Sequence, residues 1–288
     1  MNKKVGIISG IVVVLLLVIY FVATFAAEKK VTDLIDSKIK TSKMDIKYEK
    51  VSVNLAGSTT TVHGVKFENV KIDQVVLKDI YSYDYKNSIP STLNIEVKGV
   101  DLNQKSINPK YVQTLKELGY KDNLTMDVGL NYRYDPKNST LNVEDIKLDI
   151  PELFNSNMKI NIENVKLNLD NPGSMIQIMF LYPTYKISFC EVNYRDDSLI
   201  KRIIEKDAKR QGKTVESQNE KIGKLFDKKI KQSKNDALKN FYGGLKKFLL
   251  NPDSYTLRMD PEKPVSIKKI MGLRGPDEMV SRLNITFD

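Results

Sequence analysis

The sequence contains no tryptophan, one cysteine and one histidine. A single cysteine, Cys190, rules out an internal disulfide. One histidine, His63, and one cysteine fall short of the three or four protein ligands that a zinc site uses. No GxSxG, P-loop, HExxH or CxxC pattern occurs, so the enzyme classes that carry these signatures find no support. His63 lies in TTVHGVKF, with no serine or cysteine nucleophile recognisable beside it, and reads as an ordinary polar residue on a strand near a turn. Cys190, in YKISFCEVNY, reads as a small buried hydrophobe. Glu144 and Asp145 are neighbours on an alternating segment and would point to opposite faces of a strand, a poor acid–base pair. Asp196 and Asp197 sit where helix capping would place them. These absences predict a non-enzymatic protein with no catalytic residues, no metal and no cofactor.

Charge is missing altogether from Val5 to Ala27, as is proline. At about 1.5 Å per residue the block is long enough to span a hydrocarbon core of about 30 Å. It exceeds the roughly 7–15 apolar residues of a cleavable signal, although Thr24-Phe25-Ala26-Ala27 offers a cleavage option. The expectation is an uncleaved, single-pass anchor at 5–27 with residues 1–4 in the cytoplasm. Lys3 and Lys4 precede the block and Lys29 and Lys30 follow it, so the flanking charge is nearly balanced. The long body is expected outside the inner membrane, in the periplasm or the extracellular space.

Beyond the anchor, Val31, Leu34, Ile35 and Ile39 recur at helical spacing, and residues 28–43 read as a linker helix. From residue 44 the period changes to two, and residues 44–194 read as a β-rich domain. Within it, NPKYVQTLKELGY reads as a short helix with Pro109 near its start and Gly119 as its cap. Pro136-Lys137-Asn138 reads as a hairpin turn, and Ser174 to Tyr182 as a short buried turn or strand. Residues 51–72 and 146–167 both begin with an alternating pentad and end in FENVKI or IENVKL, which suggests two related units. LNVEDIKL at 141–148 is a further variant. All three share the form apolar–polar–apolar, two polars, apolar–polar–apolar, and the extra polar residue shifts the side-chain register by one, as a bend or β-bulge between paired strands requires.

Residues 195–250 read as a helical segment. Leu199, Ile200, Ile203, Ile204 and Ala208 form one apolar stripe. Ile222, Leu225, Phe226 and Ile230 form a second, which runs on into Ala237, Leu238, Phe241, Leu245 and Phe248 with Gly243-Gly244 as a break or kink. Gln211-Gly212-Lys213 reads as the turn between them. Residues 251–288 return to strands: DSYTLRMD, PVSIKK and SRLNITFD.

The chain carries a formal net charge of +10. Lys201 to Lys247 holds fifteen basic and six acidic residues, so nearly all of the excess is there. Three readings are open: a solvated helix face, contact with anionic lipid headgroups, or docking of a partner protein. Lys224, Lys228, Lys231 and Lys234 are the candidate lipid or partner contacts. Phe226, Phe241 and Phe248 read as core, and secondarily as the lining of an apolar groove. No aromatic pattern of the RNA-binding type occurs, and nucleic acid is not an expected partner.

The anchor together with VSVNLAGSTTTVHGVKFENVKI and its repeat resembles two groups of bacterial envelope proteins, the YdgA-like (DUF945) family and the AsmA-like group. The resemblance covers the anchor and residues 44–170 and is one of layout, with no diagnostic residue set. It implies lipid transport or envelope assembly. The basic helical insert is not part of that layout. The resulting expectation is an α+β protein: one N-terminal transmembrane helix, a repetitive and mostly antiparallel sheet, and basic amphipathic helices packed on it. Its expected role is envelope maintenance by binding or handling lipid, with membrane lipid or another envelope protein as partner. The alternatives are a structural or scaffolding subunit of an inner-membrane complex, and an enzyme whose site the sequence does not reveal.

Overall fold

The computed structural model describes residues 46–67, 70–79, 90–102, 109–121, 124–167, 181–233 and 235–288. The fold is mixed α and β, dominated by antiparallel sheet, and divides into two compact units. Of the described residues, the first holds those from 46 to 135 and residue 167; the second holds those from 136 to 166 and from 181 to 288.

In the first unit, β1 (Ile46–Lys47) and β2 (Lys50–Asn54) both pair with β3 (Thr59–Phe67). The ladder continues through β4 (Val70–Lys78), β5 (Thr92–Asp101) and β6 (Thr125–Asp135). Alternation puts every second residue on one face, and the register aligns them. Val62, Val75, Val97 and Val128 stand directly opposite one another across four strands, and all four are buried. Leu77 and Ile95 form a neighbouring, fully buried pair. The register shifts between Val97 and Val100, where Gly99 adopts a positive φ and donates its N–H to Asp127 Oδ1 at 2.8 Å. A glycine is the residue suited to such a bulge. Helix α1 (Pro109–Glu117) starts at the proline and ends before Gly119, whose φ is 82°, as its sequence predicts.

The second unit is built on β7 (Thr140–Ile150), β8 (Phe154–Glu163), β9 (Lys186–Asp196), β10 (Ser254–Met259) and β12 (Ile285–Phe287), paired in that order. The two-residue β11 (Val265–Ser266) pairs with the other end of β9. Of the three polar doublets, Glu144-Asp145 does produce a bulge, between Val143 and Ile146; Glu163-Asn164 falls instead at the end of β8, and Glu68-Asn69 lies outside the described residues. Ile146, Met158 and Val192 align across β7, β8 and β9, and all three are only half-buried.

Three helices separate β9 from β10: α2 (Leu199–Arg210), α3 (Val215–Gln232) and α4 (Asp236–Leu250). Asp196 Oδ1 accepts the N–H of Ile200 at 2.9 Å, the capping role that its position suggests. The expected single helix interrupted at Gly243-Gly244 is corrected. Helix α3 ends at Gln232 and α4 begins at Asp236, where the Asn235 side chain caps α4 by accepting the Leu238 N–H at 2.8 Å. Helix α4 then runs through both glycines, because Gly244 serves close packing against β12. Phe226, Leu238, Tyr242 and Val280 form the buried cluster among α3, α4 and α6 (Pro276–Leu283). Two further expectations are revised: PVSIKK gives only β11 before α5 (Ile267–Met271), and Ser281–Leu283 closes α6 instead of opening a strand.

The expected transmembrane helix is also corrected. Among the described residues no helix is long and apolar enough to cross a membrane. The 18-residue α3 carries Glu216, Glu220, Lys221, Lys224, Asp227, Lys228, Lys229 and Lys231, a charge density no bilayer core accommodates. Residues 5–27, the linker 28–43 and most of 174–182 lie outside the described residues. The inner-membrane, signal-anchor and periplasmic localisation rested on that segment. So did the lipid-handling role and the alternative of an inner-membrane complex subunit, and all of these are withdrawn with it.

Candidate functional site

Two features of the second unit share one end of its sheet. On one face, four aromatic rings form a row across four strands. Phe154 and Tyr194 stack with centroids 5.4 Å apart, Tyr194 and Tyr255 at 5.1 Å, and Tyr255 and Phe287 at 4.7 Å. Interplanar angles of 20–24° make these offset stacks. Phe248 of α4 closes over the row edge-on, 4.8 Å from Tyr255 and 5.8 Å from Tyr194. Burial among these rings raises the Tyr255 phenol above its ordinary pKa.

On the opposite face β7, β8, β9 and β10 carry a directed hydrogen-bond ladder. Thr256 Oγ1 donates to Asn193 Oδ1 at 2.8 Å, Asn193 Nδ2 donates to Asn157 Oδ1 at 3.1 Å, and Asn157 Nδ2 donates to Asp145. Asn157, Asn193 and Thr256 are directly opposed in register, which is why three short polar side chains connect. Next to the ladder, Glu191 is buried and accepts from Arg258 Nη2 at 2.7 Å. That bond, helped by Asn193, holds the Glu191 carboxyl below the usual carboxylate range and raises Arg258 in turn.

A recess of about 760 Å³ opens where these strands end. Asn155, Asn157, Asn193 and Asn251 supply its amides, and Ser254 and Thr256 its hydroxyls. Tyr194, Tyr255, Phe248 and Phe287 supply its rings. Its charges are balanced, with Arg195 and Lys247 against Asp253 and Asp288. Arg195 is tied to Asp197 at 3.2 Å. The volume falls within the roughly 300–1,000 Å³ of small-molecule sites.

The residues singled out in the sequence divide. Lys224, Lys228 and Lys231 are exposed on α3; Lys234 lies outside the described residues. Phe226 is buried in the interhelical cluster. Phe241 packs edge-on against Tyr242 and Phe287. Phe248 alone of the three lines the recess. The asparagines and Thr256 escaped the sequence reading, because the ladder joins residues 36 and 63 positions apart and leaves no local pattern.

Other candidate chemistry is sparse. Among the described residues no group of three or more His, Cys, Asp or Glu could hold a metal ion. His63 has acquired a serine neighbour through strand pairing, with Ser52 Oγ 2.7 Å from His63 Nε2. That exposed pair bridges β2 and β3, outside the recess. Cys190 is half-buried, and burial, then the Glu191 charge, raises its thiol pKa, which makes it a poor nucleophile.

A family model described as "Uncharacterized protein" matches residues 147–288, a span that holds every residue lining the recess. A protein of Aquifex aeolicus (strain VF5), also described as "Uncharacterized protein", is 29% identical over 161 residues. That similarity covers 50% of this chain and 54% of the Aquifex protein, so the chain spans about half the length of the relative.

Proposed function

We propose that the second unit is a non-catalytic recognition domain whose recess binds a small, neutral, polyhydroxylated ligand of the carbohydrate class. The observation that supports this reading is the charge-balanced, amide-rich lining. Asn155 and Asn251 lie outside the ladder and each carries a donor and an acceptor side by side, and the Ser254 hydroxyl can act as both, which matches a ligand whose own hydroxyls must donate and accept. The phenyl and phenol rings add apolar surface for the carbon skeleton. Two basic and two acidic side chains in the lining cancel in formal charge, which selects neither an anion nor a cation. The lining contains neither histidine nor cysteine, so it holds no Ser–His or Cys–His nucleophile–base pair.

Ligand-observed NMR on the full chain tests this, with glucose, maltose and mannitol as neutral probes and acetate and phosphate as ionic ones. The expected result is saturable binding of a neutral probe that weakens at least several-fold in Asn155→Ala and Asn251→Ala, two amides outside the ladder. Saturable binding of the ions alone, no binding at all, or unchanged binding in both variants would overturn the proposal.

A further inference from the structure

The basic helices carry a second surface feature, independent of the recess. Lys221, Lys224, Lys228 and Lys231 are spaced three, four and three residues apart on α3. At about 100° per residue they fall within an arc of about 80°, centred opposite the buried Phe226. The carboxylates of the helix are segregated. Glu216, Glu220 and Asp227 share the flank toward α4, where Asp227 pairs with Lys246 at 2.6 Å and Glu220 with Lys224 at 2.6 Å. Lys228 and Lys231 are exposed and have no ion-pair partner among the described residues.

The other flank of the stripe meets α2. Gln218 of α3 donates to Asp207 of α2 at 2.7 Å, and Lys221 to Gln211 at 3.3 Å, which fixes the two helices as a hairpin and shows which sides face each other. On the outward side of that seam stand two large apolar residues, Leu225 of α3 at 53% exposure and Ile203 of α2 at 44%. Helical geometry puts each about 20–40° from the contact side of its own helix, toward solvent. A solvated lysine face does not require such residues. Two exposed aliphatic side chains along a seam bordered by a lysine stripe are what a second helix would bury.

We infer that the α2–α3 seam docks an acidic amphipathic helix of a partner protein. Its apolar residues would cover Leu225 and Ile203, and its carboxylates would lie along Lys221, Lys224, Lys228 and Lys231. Charge complementarity selects the acidic partner, and the paired aliphatic residues select a helix over an unstructured polyanion.

The test uses the full chain and three labelled probes of equal charge: a 20-residue peptide with glutamates on one helical face and leucines on the next, the same composition scrambled, and polyglutamate. Fluorescence anisotropy should show the amphipathic peptide binding at least tenfold tighter than either control. Reversing the four lysines to glutamate should abolish that binding. Leu225→Ser with Ile203→Ser should weaken it several-fold while leaving its salt dependence unchanged. All six positions are partly or fully exposed, and an unchanged unfolding midpoint verifies that each variant folds. Polyglutamate binding as tightly as the peptide would overturn the inference. So would tighter binding to phosphatidylglycerol vesicles or to a DNA duplex, or indifference of the peptide to both sets of substitutions.

Discussion

Gly244 of α4 lies so close to Phe287 of β12 that a Cβ atom on it would sit 2.5 Å from the Phe287 carbonyl oxygen and 2.8 Å from its ring. The adjacent Gly243 has nothing within 4 Å of the same position. Two consecutive glycines thus do different jobs. One brings a helix onto a strand; the other is only a flexible link in a helix. Gly244→Ala should therefore destabilise the protein by about 1–3 kcal/mol, the usual cost of overpacking against backbone. Gly243→Ala should stabilise it by about 0.5–1 kcal/mol, since alanine restricts the unfolded chain and suits a helix interior. Denaturant unfolding of the two variants gives the comparison, and equal signs would contradict the packing described.

The side chain of Asn235 caps the start of α4. Asn235→Ala should cost about 1 kcal/mol by leaving the Leu238 N–H without its cap, whereas Asn235→Asp should retain most of the stability. Helicity and unfolding midpoint measured together would show a loss confined to the alanine variant.

Acid should expose the Glu191–Arg258 pair. The folded carboxyl titrates below its unfolded value of about 4.3, so the contribution of the pair is complete above that pH and is lost as pH falls through the lower, folded value. Glu191→Gln should lower the thermal midpoint at pH 7, and the gap to the parent protein should close toward pH 3. A gap of constant size across that range would show that the charge plays no part.

Removing the central amide of the ladder should be costlier than removing a peripheral one. Asn193→Ala leaves the Thr256 hydroxyl and the Asn157 amide without their shared partner, at a cost of about 1–2 kcal/mol for half-buried groups. Asn155→Ala, outside the ladder, should change stability by less than about 0.5 kcal/mol. Thermal melts of the two variants side by side would reveal whether the ladder is structural as well as a candidate ligand surface.

Much of the local structure was legible in the residue pattern. Alternation marked β3 through β9, Pro109 and Gly119 bracketed α1, and the Glu144-Asp145 doublet forecast a bulge that the β7–β8 register contains. Helix α6 was missed although its signal was present: Gly275-Pro276-Asp277-Glu278 combines a proline at the first position with an acidic first turn. The Gly243-Gly244 pair misled because glycine in a helix reads as a break unless its packing partner is known, and that partner, Phe287, is more than forty residues away.

By itself the sequence determined what depends on near neighbours: strand and helix periods, the concentration of positive charge between Lys201 and Lys247, and the presence of only one histidine and one cysteine. Only the tertiary structure decided what depends on pairing. Strand register brought Asn157, Asn193 and Thr256 into one ladder and Phe154, Tyr194, Tyr255 and Phe287 into one aromatic row. Helix packing buried Phe226 and left Leu225, its sequence neighbour, in solvent. Periodicity is set by the local backbone and can be read from a few consecutive residues. Register and packing are set by contacts between residues far apart in the chain, whose energies no local pattern records.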